Sequence, residues 1–414
     1  MRVGIVSQFY APEPAFIPAS LAGELARRGH EVRVLTGYPN YPSGRVYPGY
    51  RQRWRDVTES GGVRLRRVPL YPSHDTSTLR RAANYLSFAV SSTAAGVRYL
   101  SDVDVVYVYH PPATSFTAAW LLRVLHRVPA VLHVQDVWPD SVTASAMSPA
   151  GRAGRAVHTA LGAVMRRIYA AASSIAVIAP SMRELVVERG ADPGKVEVVL
   201  NWTDETLFRP VRATAQARAA IGHRGRRVVM HAGNIGPFQH IEGAVRAAAA
   251  VAGSTPLDLV VVGSGTEDRA VRSLAGQLGA DNVRFLGRRD PAEMAALYAA
   301  ADYQLVSLKD LPIFRGTIPS KLPAALACGS PVVVAAPGDC ARMVEGTGVG
   351  LSCPPENWPE LAAGFRRAAA LPEGQRSDMA RRARDSYQRH MSLKAGVDAL
   401  EIMLDAARTG RGTR

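Results

Sequence analysis

An α/β architecture of two doubly wound parallel sheets is what this 414-residue sequence predicts, and three observations carry that expectation. Short apolar runs alternate with helical patterns from the first residues, the series halts around 201–225 and begins again, and glycine-bearing turns follow the apolar runs of the second half. The length exceeds one ordinary core, so two domains facing across a cleft are expected, 1–200 and 201–385. The remaining 386–414 reads as a helix and basic tail, a candidate to brace the first domain.

Taken in order, Val3–Phe9 is the first strand and Ile17–Arg28 the first helix. Gly29 suits the residue just past a helix end, and Arg27 and Arg28 suit the negative end of the helix dipole. Glu31–Thr36 completes a β-α-β unit, whose ligands belong at the carboxyl ends of its strands. Strands are expected at Val63–Val68, Val103–Tyr109, Ala130–Gln135 and Ser174–Ile178. The second series is Val228–His231, Leu257–Val262, Val283–Leu286, Tyr303–Ser307, Pro331–Ala335 and Gly350–Ser352, separated by alanine-rich helices. A last helical region covers Trp358–Ala407, and the tail TGRGTR is expected to fray.

A hydrophobic share of 47% and a charged share of 21% are those of a globular, ordered chain. Three cysteines, Cys328, Cys340 and Cys353, have no metal-ligand spacing and read as buried thiols of a reducing, cytoplasmic compartment. Met1-Arg2 runs straight into the first strand, so no secretory signal is expected, and apolar stretches such as Pro331–Pro337 are too short to span a bilayer. The net charge of +15, mostly arginine, suits a nucleic acid, an anionic membrane or an acidic small molecule, and a GC-rich genome explains it equally. No helix-turn-helix, zinc-finger or RNA-binding motif appears, so no nucleic-acid partner is expected.

Phe314–Gly329, FRGTIPSKLPAALACG, is the richest stretch. It sets a candidate capping Ser320 and the cation Lys321 at a helix start, where free N–H groups and the dipole favour an anion. Glycine loops at Gly233-Asn234-Ile235-Gly236, Gly263-Ser264-Gly265, Gly287-Arg288-Arg289 and Gly338-Asp339 end neighbouring strands. One such loop is ordinary; several on one sheet beside a lysine point to a nucleotide-sugar or similar phosphorylated donor. No Gly-x-Gly-x-x-Gly follows the first strand and there is no Walker loop, Gly-x-Ser-x-Gly or His-Glu-x-x-His. Dehydrogenase, P-loop kinase, hydrolase and zinc-protease readings therefore lack support.

In the first half, the loop Gln8–Pro14 with Glu13, and TGYPNYPSGRVYPGY over Thr36–Tyr50, with Tyr38, Asn40 and Tyr41, form an aromatic, proline-punctuated wall. It suits a sugar or lipid-linked acceptor, and suits an ordered structural loop equally. His133–Asp140, HVQDVWPD, supplies a histidine and two carboxylates at a strand end; one could act as a base or orient a hydroxyl. Strand alternation puts His133 and Gln135 on one side and Asp136 on the other, while His110 is an alternative beyond its own strand. Leu79-Arg80-Arg81…Tyr85, Leu121–Arg127 and Met165–Tyr169 are basic and partly apolar, fitting either an anionic lipid surface or plain helix faces.

Together VSQFYAPEP, RRGHEVRVLTGYPNYPSGRVYPGY, VQDVWPDSV, APSMRELVVERG, VVLNWTDETLFRP, HAGNIGPFQ, VVGSGTEDR, VRFLGR, IPSKLPAALACGSPVVVAAPGD and GVGLSCPP resemble the family 4 retaining glycosyltransferases. The resemblance covers nearly the whole chain in order and is nearest to the O-antigen, capsule and colanic-acid subgroup. It implies the GT-B fold, a donor nucleotide on the C-terminal domain, an acceptor on the N-terminal one, no obligatory metal and no cofactor. It also implies transfer with retention, by front-face attack with the departing phosphate helping to deprotonate the acceptor. Carried onto this sequence, it assigns the donor to Gly233, Asn234, Gly236, Gln239, Gly263, Gly265, Gly287, Arg288, Ser320, Lys321 and Glu345. The family's usual histidine before the aspartate is here Gln135, so catalysis is expected at His133, two residues earlier on the same strand face, with Asp136 and Lys321, and the acceptor at Glu13, Tyr38, Asn40, Tyr41 and His110.

Two further departures stand out. The family's glutamate pair would fall at Gly316 and Ala324, leaving the ribose role to Glu345 or Glu267, and the usual arginine and lysine of the first C-terminal loop are Asn234 and Gln239. The phosphate site is therefore expected to centre on Lys321. The resulting expectation is a UDP-type donor of an N-acetylhexosaminyl, hexosyl or 6-deoxy sugar, and a polyprenyl-diphosphate-linked acceptor at the inner membrane face, where the enzyme would sit peripherally. A tailoring enzyme for a secondary metabolite or phosphoglycolipid, and a non-catalytic glycan or nucleotide-sugar binder, are the alternatives.

Overall fold

Strands that are apolar on both faces must be covered on both, and the computed structural model, which describes residues 1–74, 77–140 and 151–410, builds two such sheets. The chain divides into two compact units, Met1–Leu200 with the residues from Gly396 onward, and Asn201–Ala395.

The first unit runs β1 (Arg2–Ser7), α1 (Phe16–Arg27), β2 (Glu31–Gly37), β3 (Asp56–Ser60), β4 (Val63–Val68), α2 (Thr78–Tyr99), β5 (Val105–His110), α3 (Phe116–His126) and β6 (Ala130–Val134). It continues through α4 (Gly151–Ala171), β7 (Ser174–Val177), α5 (Pro180–Glu188) and β8 (Val196–Val198). Strand order is β3-β4-β2-β1-β5-β6-β7-β8, parallel except for β3, which pairs antiparallel with β4. The order reverses between β1 and β5, so the loops leaving those strands open the crevice where such sheets bind ligands.

The second unit comprises α6 (Ala215–Ala220), β9 (Arg227–Ala232), α7 (Ile241–Ala249), β10 (Leu257–Val262), α8 (Asp268–Gln277), β11 (Val283–Gly287), α9 (Met294–Ala300), β12 (Tyr303–Ser307) and α10 (Lys321–Ala327). Then follow β13 (Val332–Ala335), α11 (Asp339–Thr347), β14 (Gly350–Cys353), α12 (Trp358–Ala370) and α13 (Glu373–Ser386), after which α14 (Leu393–Thr409) belongs from Gly396 onward to the first unit. The all-parallel order β11-β10-β9-β12-β13-β14 reverses between β9 and β12. Its core is mostly aliphatic, with Val229, Leu259, Val261, Leu305 and Val333 fully or almost fully buried beside the aromatic Phe365.

The expected strands lie where the apolar runs are, within two residues at each end. Two strands carried no such signal: β3 is the polar, exposed edge sequence DVTES, and β8 is three residues long. The expected last helical region is three helices, interrupted at Leu371-Pro372 and by a π-turn over Tyr387–Met391. The turn-forming Gly29 has φ of +86° after α1. Residues of α14 meet the end of α1: Arg28 Nη1 lies 2.6 Å from Glu401 Oε2 and 2.8 Å from Asp398 Oδ1, and His30 Nε2 lies 2.6 Å from Glu401 Oε1. Met165 and Tyr169 are core residues, so the apolar surface of that segment is limited to part of Ile168. The end of the tail, from Arg411, lies outside the described residues, as do Ser141 and Val142 of the VQDVWPDSV motif.

Candidate functional site

At the switch point of the second sheet, β9 ends in the Gly233–Gly236 loop and β12 leads through Leu308–Ser320 into α10. Backbone approaches this close leave no room for side chains. Gly263 has φ of +134°, and a Cβ there would lie 1.8 Å from the Gly233 carbonyl oxygen; Gly233 has φ of +139°, and a Cβ would lie 2.9 Å from Lys321 Cε. Gly233 N–H donates to Val262 O at 2.9 Å, Gly263 N–H to Gly287 O at 2.8 Å and Ile235 N–H to Ser264 O at 3.0 Å. Three strand ends are thus stitched into one floor.

Lys321 lies against that floor. Burial pushes its ammonium below the ordinary lysine range, and among the described residues no carboxylate pairs with it. Its neighbour is His231, fully buried on β9, whose Nε2 lies 3.2 Å from the Asn234 carbonyl. A carbonyl only accepts, so Nε2 carries the proton; Nδ1 has no partner. Burial first, and the Lys321 charge second, push the His231 pKa down to about 3, so the ring is neutral near pH 7. Sequence reasoning did not single out His231; its signal was a histidine one residue inside a strand that ends in a glycine loop.

The other donor candidates divide. Gln239 Oε1 accepts from Gly236 N–H at 3.1 Å and from Asn234 Nδ2 at 3.2 Å, so Asn234 and Gln239 brace the loop through each other. Ser320 sits at the N-cap position with helical φ and ψ and no side-chain cap bond, which corrects the expected cap; α10 itself is only seven residues. Arg288 is exposed beyond β11, and Gly265 packs on the Ile235 carbonyl. Glu345 is exposed along α11, while half-buried Glu267 lines a cavity of about 670 Å³ with Gly236, Pro237, His240, Lys309 and Glu356. Ala324, at one missing glutamate position, is buried. The Leu308–Ser320 loop is held at both ends: Lys309 N–H donates to Phe238 O at 2.9 Å, Phe238 and Phe314 meet edge to face at 5.6 Å, and Asp339 N–H donates to Arg315 O at 2.8 Å.

At the switch point of the first sheet, the polar candidates are largely held inside. Glu13 Oε1 accepts from Asn40 N–H at 2.7 Å and Tyr41 N–H at 2.8 Å, and Oε2 from Tyr10 N–H at 3.1 Å. Burial raises its carboxyl, and those three donors and Arg67 pull it back. This is a latch joining the loops after β1 and β2, which corrects its reading as a group presented to an acceptor. Loops rich in proline and glycine have no ladder partners, so a carboxylate supplies them. Tyr38 is equally internal: its hydroxyl donates to Asp56 Oδ2 at 2.7 Å and accepts from Arg53 N–H at 2.9 Å. Asn40 Nδ2 donates to Tyr38 O at 3.0 Å. Tyr41 alone of these presents part of its ring, packed 5.5 Å from Phe9 and 4.6 Å from His74.

His133 is buried between two partners. The Gln135 amide donates to Nε2 at 3.0 Å, so Nδ1 carries the proton and donates to the Tyr107 hydroxyl at 2.6 Å. Burial pushes its pKa down to about 3. A fully buried ring with both nitrogens engaged meets neither an acceptor hydroxyl nor its proton directly, which corrects its expected catalytic role and leaves it holding Gln135. Asp136 reaches solvent at the rim, yet the surrounding protein raises its carboxyl. Asp140 is ion-paired with Arg189 at 2.6 Å. His110 ends β5 rather than lying beyond it; it is fully buried, neither ring nitrogen has a partner, and its pKa falls to about 4. Among the described residues no three or more His, Cys, Asp or Glu side chains converge as a metal site.

With this geometry in hand, the comparisons with known proteins are specific. Residues 17–202 match the glycosyl transferase 4-like domain and residues 214–386 match glycosyl transferases group 1. The glycosyl transferase WcaI of Escherichia coli K12, named for colanic acid biosynthesis, is 30% identical over 391 residues, covering 90% of this chain and 93% of its own. Among solved structures, sucrose-phosphate synthase from Thermosynechococcus elongatus superposes with a TM-score of 0.75 at 20% identity, covering 99% of both chains. HepE of Anabaena, solved with UDP and glucose, gives 0.67 at 16% identity, covering 98% of this chain and all of that one.

Proposed function

Because this chain belongs to the family 4 glycosyltransferases of GT-B fold, in the subgroup that serves cell-surface polysaccharides, we propose that it moves a hexosyl or N-acetylhexosaminyl group from a UDP-sugar to a hydroxyl of a polyprenyl-diphosphate-linked saccharide, with retention. The observation that carries the donor half is Lys321, a mostly buried ammonium with no carboxylate partner, set against the Gly233 backbone. An unpaired buried cation is costly alone and attractive to a dianionic diphosphate. In this reading Lys321 neutralises charge that grows on the departing diphosphate, the preorganised role that accelerates such cleavage. His231, held neutral, leaves that cation unopposed by a second one.

The first unit would hold the acceptor, with Tyr41 and the aromatic ring pairs as its face and Asp136 at the rim. The ribose hydroxyls fall to Glu267 in the cavity beside Gly236, in place of the absent glutamates. Incubating the purified protein with radiolabelled UDP-hexose, UDP-N-acetylhexosamine and UDP-6-deoxyhexose plus detergent-solubilised polyprenyl-diphosphate saccharide tests the reading. A product with the donor's anomeric configuration is expected. Stabilisation by UDP without any product from a full donor panel would instead favour a non-catalytic binder, the reading that buried Ala324 supports.

A further inference from the structure

A chain with 35 carboxylates in 414 residues places none on α2, α3 or α4, although these helices carry Arg80, Arg81, Arg98, Arg123, Arg155, Arg166 and Arg167. The same region exposes large apolar side chains that ordinary folding would cover. On α2, Leu79 is 82% exposed, Leu86 58% and Val90 69%, and with Ala82, Ala83 and Ala94 they recur every three or four residues along one stripe. On α3, Trp120 is 53% exposed, Val124 57% and Leu125 55%.

The two stripes adjoin. Thr93 Oγ1 and Thr117 Oγ1 are 3.0 Å apart, Thr117 Oγ1 donates to Ala89 O at 3.4 Å, and Thr114 Oγ1 donates to Tyr85 O at 3.3 Å. Val90 follows Ala89 on one side of this seam, and Trp120 lies one turn beyond Thr117 on the other. Arg123 ties α3 to the end of α4, donating to Ala171 O at 2.6 Å. Scattered exposed apolar residues are normal, but a contiguous set framed by one sign of charge is a binding surface.

We propose that the α2–α3 face is a docking surface for an anionic lipid bilayer. Leu79, Leu86, Val90, Trp120 and Val124 enter the interface, and the flanking arginines meet the headgroups. Charge decides the occupant: two helices that carry arginine and, among the described residues, no carboxylate complement acidic lipid and repel a second copy of themselves. Tryptophan is also suited to the headgroup level, being apolar in its body with one N–H to satisfy. Among the described residues no helix is long and apolar enough to cross a membrane, so attachment here is by a face, not a span. The inference deepens the lipid-linked-acceptor reading and rests on it only for its purpose, since these residues belong to the first unit and the donor residues to the second.

The test is co-sedimentation of the whole chain with vesicles of phosphatidylglycerol and phosphatidylcholine, and with phosphatidylcholine alone. Binding to the anionic vesicles that weakens at high salt is expected. The exposed triple variant Leu86→Ser/Val90→Ser/Trp120→Ser should lose at least tenfold in vesicle affinity while binding UDP as the parent does. Quenching of tryptophan fluorescence by brominated acyl chains should fall in Trp120→Phe. Equal binding to neutral vesicles, no vesicle binding, or a dimer in light scattering that the triple variant dissociates would each overturn the proposal. Vesicle binding retained by a parent that does not bind UDP would overturn the donor reading and leave the docking surface standing.

Discussion

The carboxyl edges of the two sheets solve their electrostatics in opposite ways. At the first, Glu13 is saturated by three backbone N–H groups, Tyr38 is bonded on both sides, and His133 has both nitrogens engaged. At the second, glycine loops pack backbone on backbone around Lys321, which has no anionic partner among the described residues. Apart from neutral buried groups such as His110, whose ring nitrogens have no partner, the first edge is satisfied from within and serves as a scaffold that presents surface. An edge holding an uncompensated charge is incomplete without a ligand.

The largest effect that sharpens this contrast is at Lys321. Lys321→Met should lower kcat/KM for transfer by roughly 10²–10³-fold, the scale of losing one preorganised charge-stabilising donor. Its unliganded form should melt no lower than the parent, because an uncompensated buried cation has been removed. The pH dependence gives an independent sign. A lysine whose folded pKa is depressed binds fewer protons folded than unfolded between the two values, so it adds stability as pH rises through that window and opposes folding below it. Denaturant titrations across the alkaline range should show the parent gaining on Lys321→Met as pH rises.

Next in size is Gly263→Ala. A methyl group 1.8 Å from a carbonyl oxygen at φ of +134° cannot be relieved by a side-chain rotation, so a loss of roughly 2–4 kcal/mol in unfolding free energy is expected. Nucleotide binding should fall with it.

On the other edge, Glu13→Gln should cost about 1–3 kcal/mol, since an amide nitrogen would face the Tyr10 N–H. Acceptor KM should rise while UDP affinity is unchanged; a matching fall in UDP affinity would break the separation between the two edges.

The smallest effect lies at the buried histidines. Their folded pKa values, about 4 for His110 and about 3 for His133, are below the unfolded value near 6.5, so stability drops as pH falls from about 6.5 towards those values. His110→Leu should flatten part of that acid slope and change neutral-pH stability by no more than about 1 kcal/mol, because its nitrogens have no partner to lose.

The sheets were legible because buried parallel strands are continuous apolar runs, as in LDLVVV of β10. The polar edge strand β3 and the tiny β8 were not, because neither has a periodicity to read. At the site, the glycine loops and Lys321 were legible from composition and order. The roles of Glu13, Tyr38 and Asn40 were not, since a sequence shows which polar groups exist but not which backbone N–H groups they must satisfy after folding. His231 was hidden for a related reason: its importance comes from the lysine that the fold places beside it.

The central claim is that the second sheet's edge is a diphosphate site built on Lys321. Calorimetric titration of the parent, Lys321→Met and Glu13→Gln with UDP, GDP and dTDP, without added metal, tests it directly. The account predicts that one nucleoside diphosphate binds the parent and Glu13→Gln alike and binds Lys321→Met at least tenfold more weakly. Undiminished binding by Lys321→Met would contradict it.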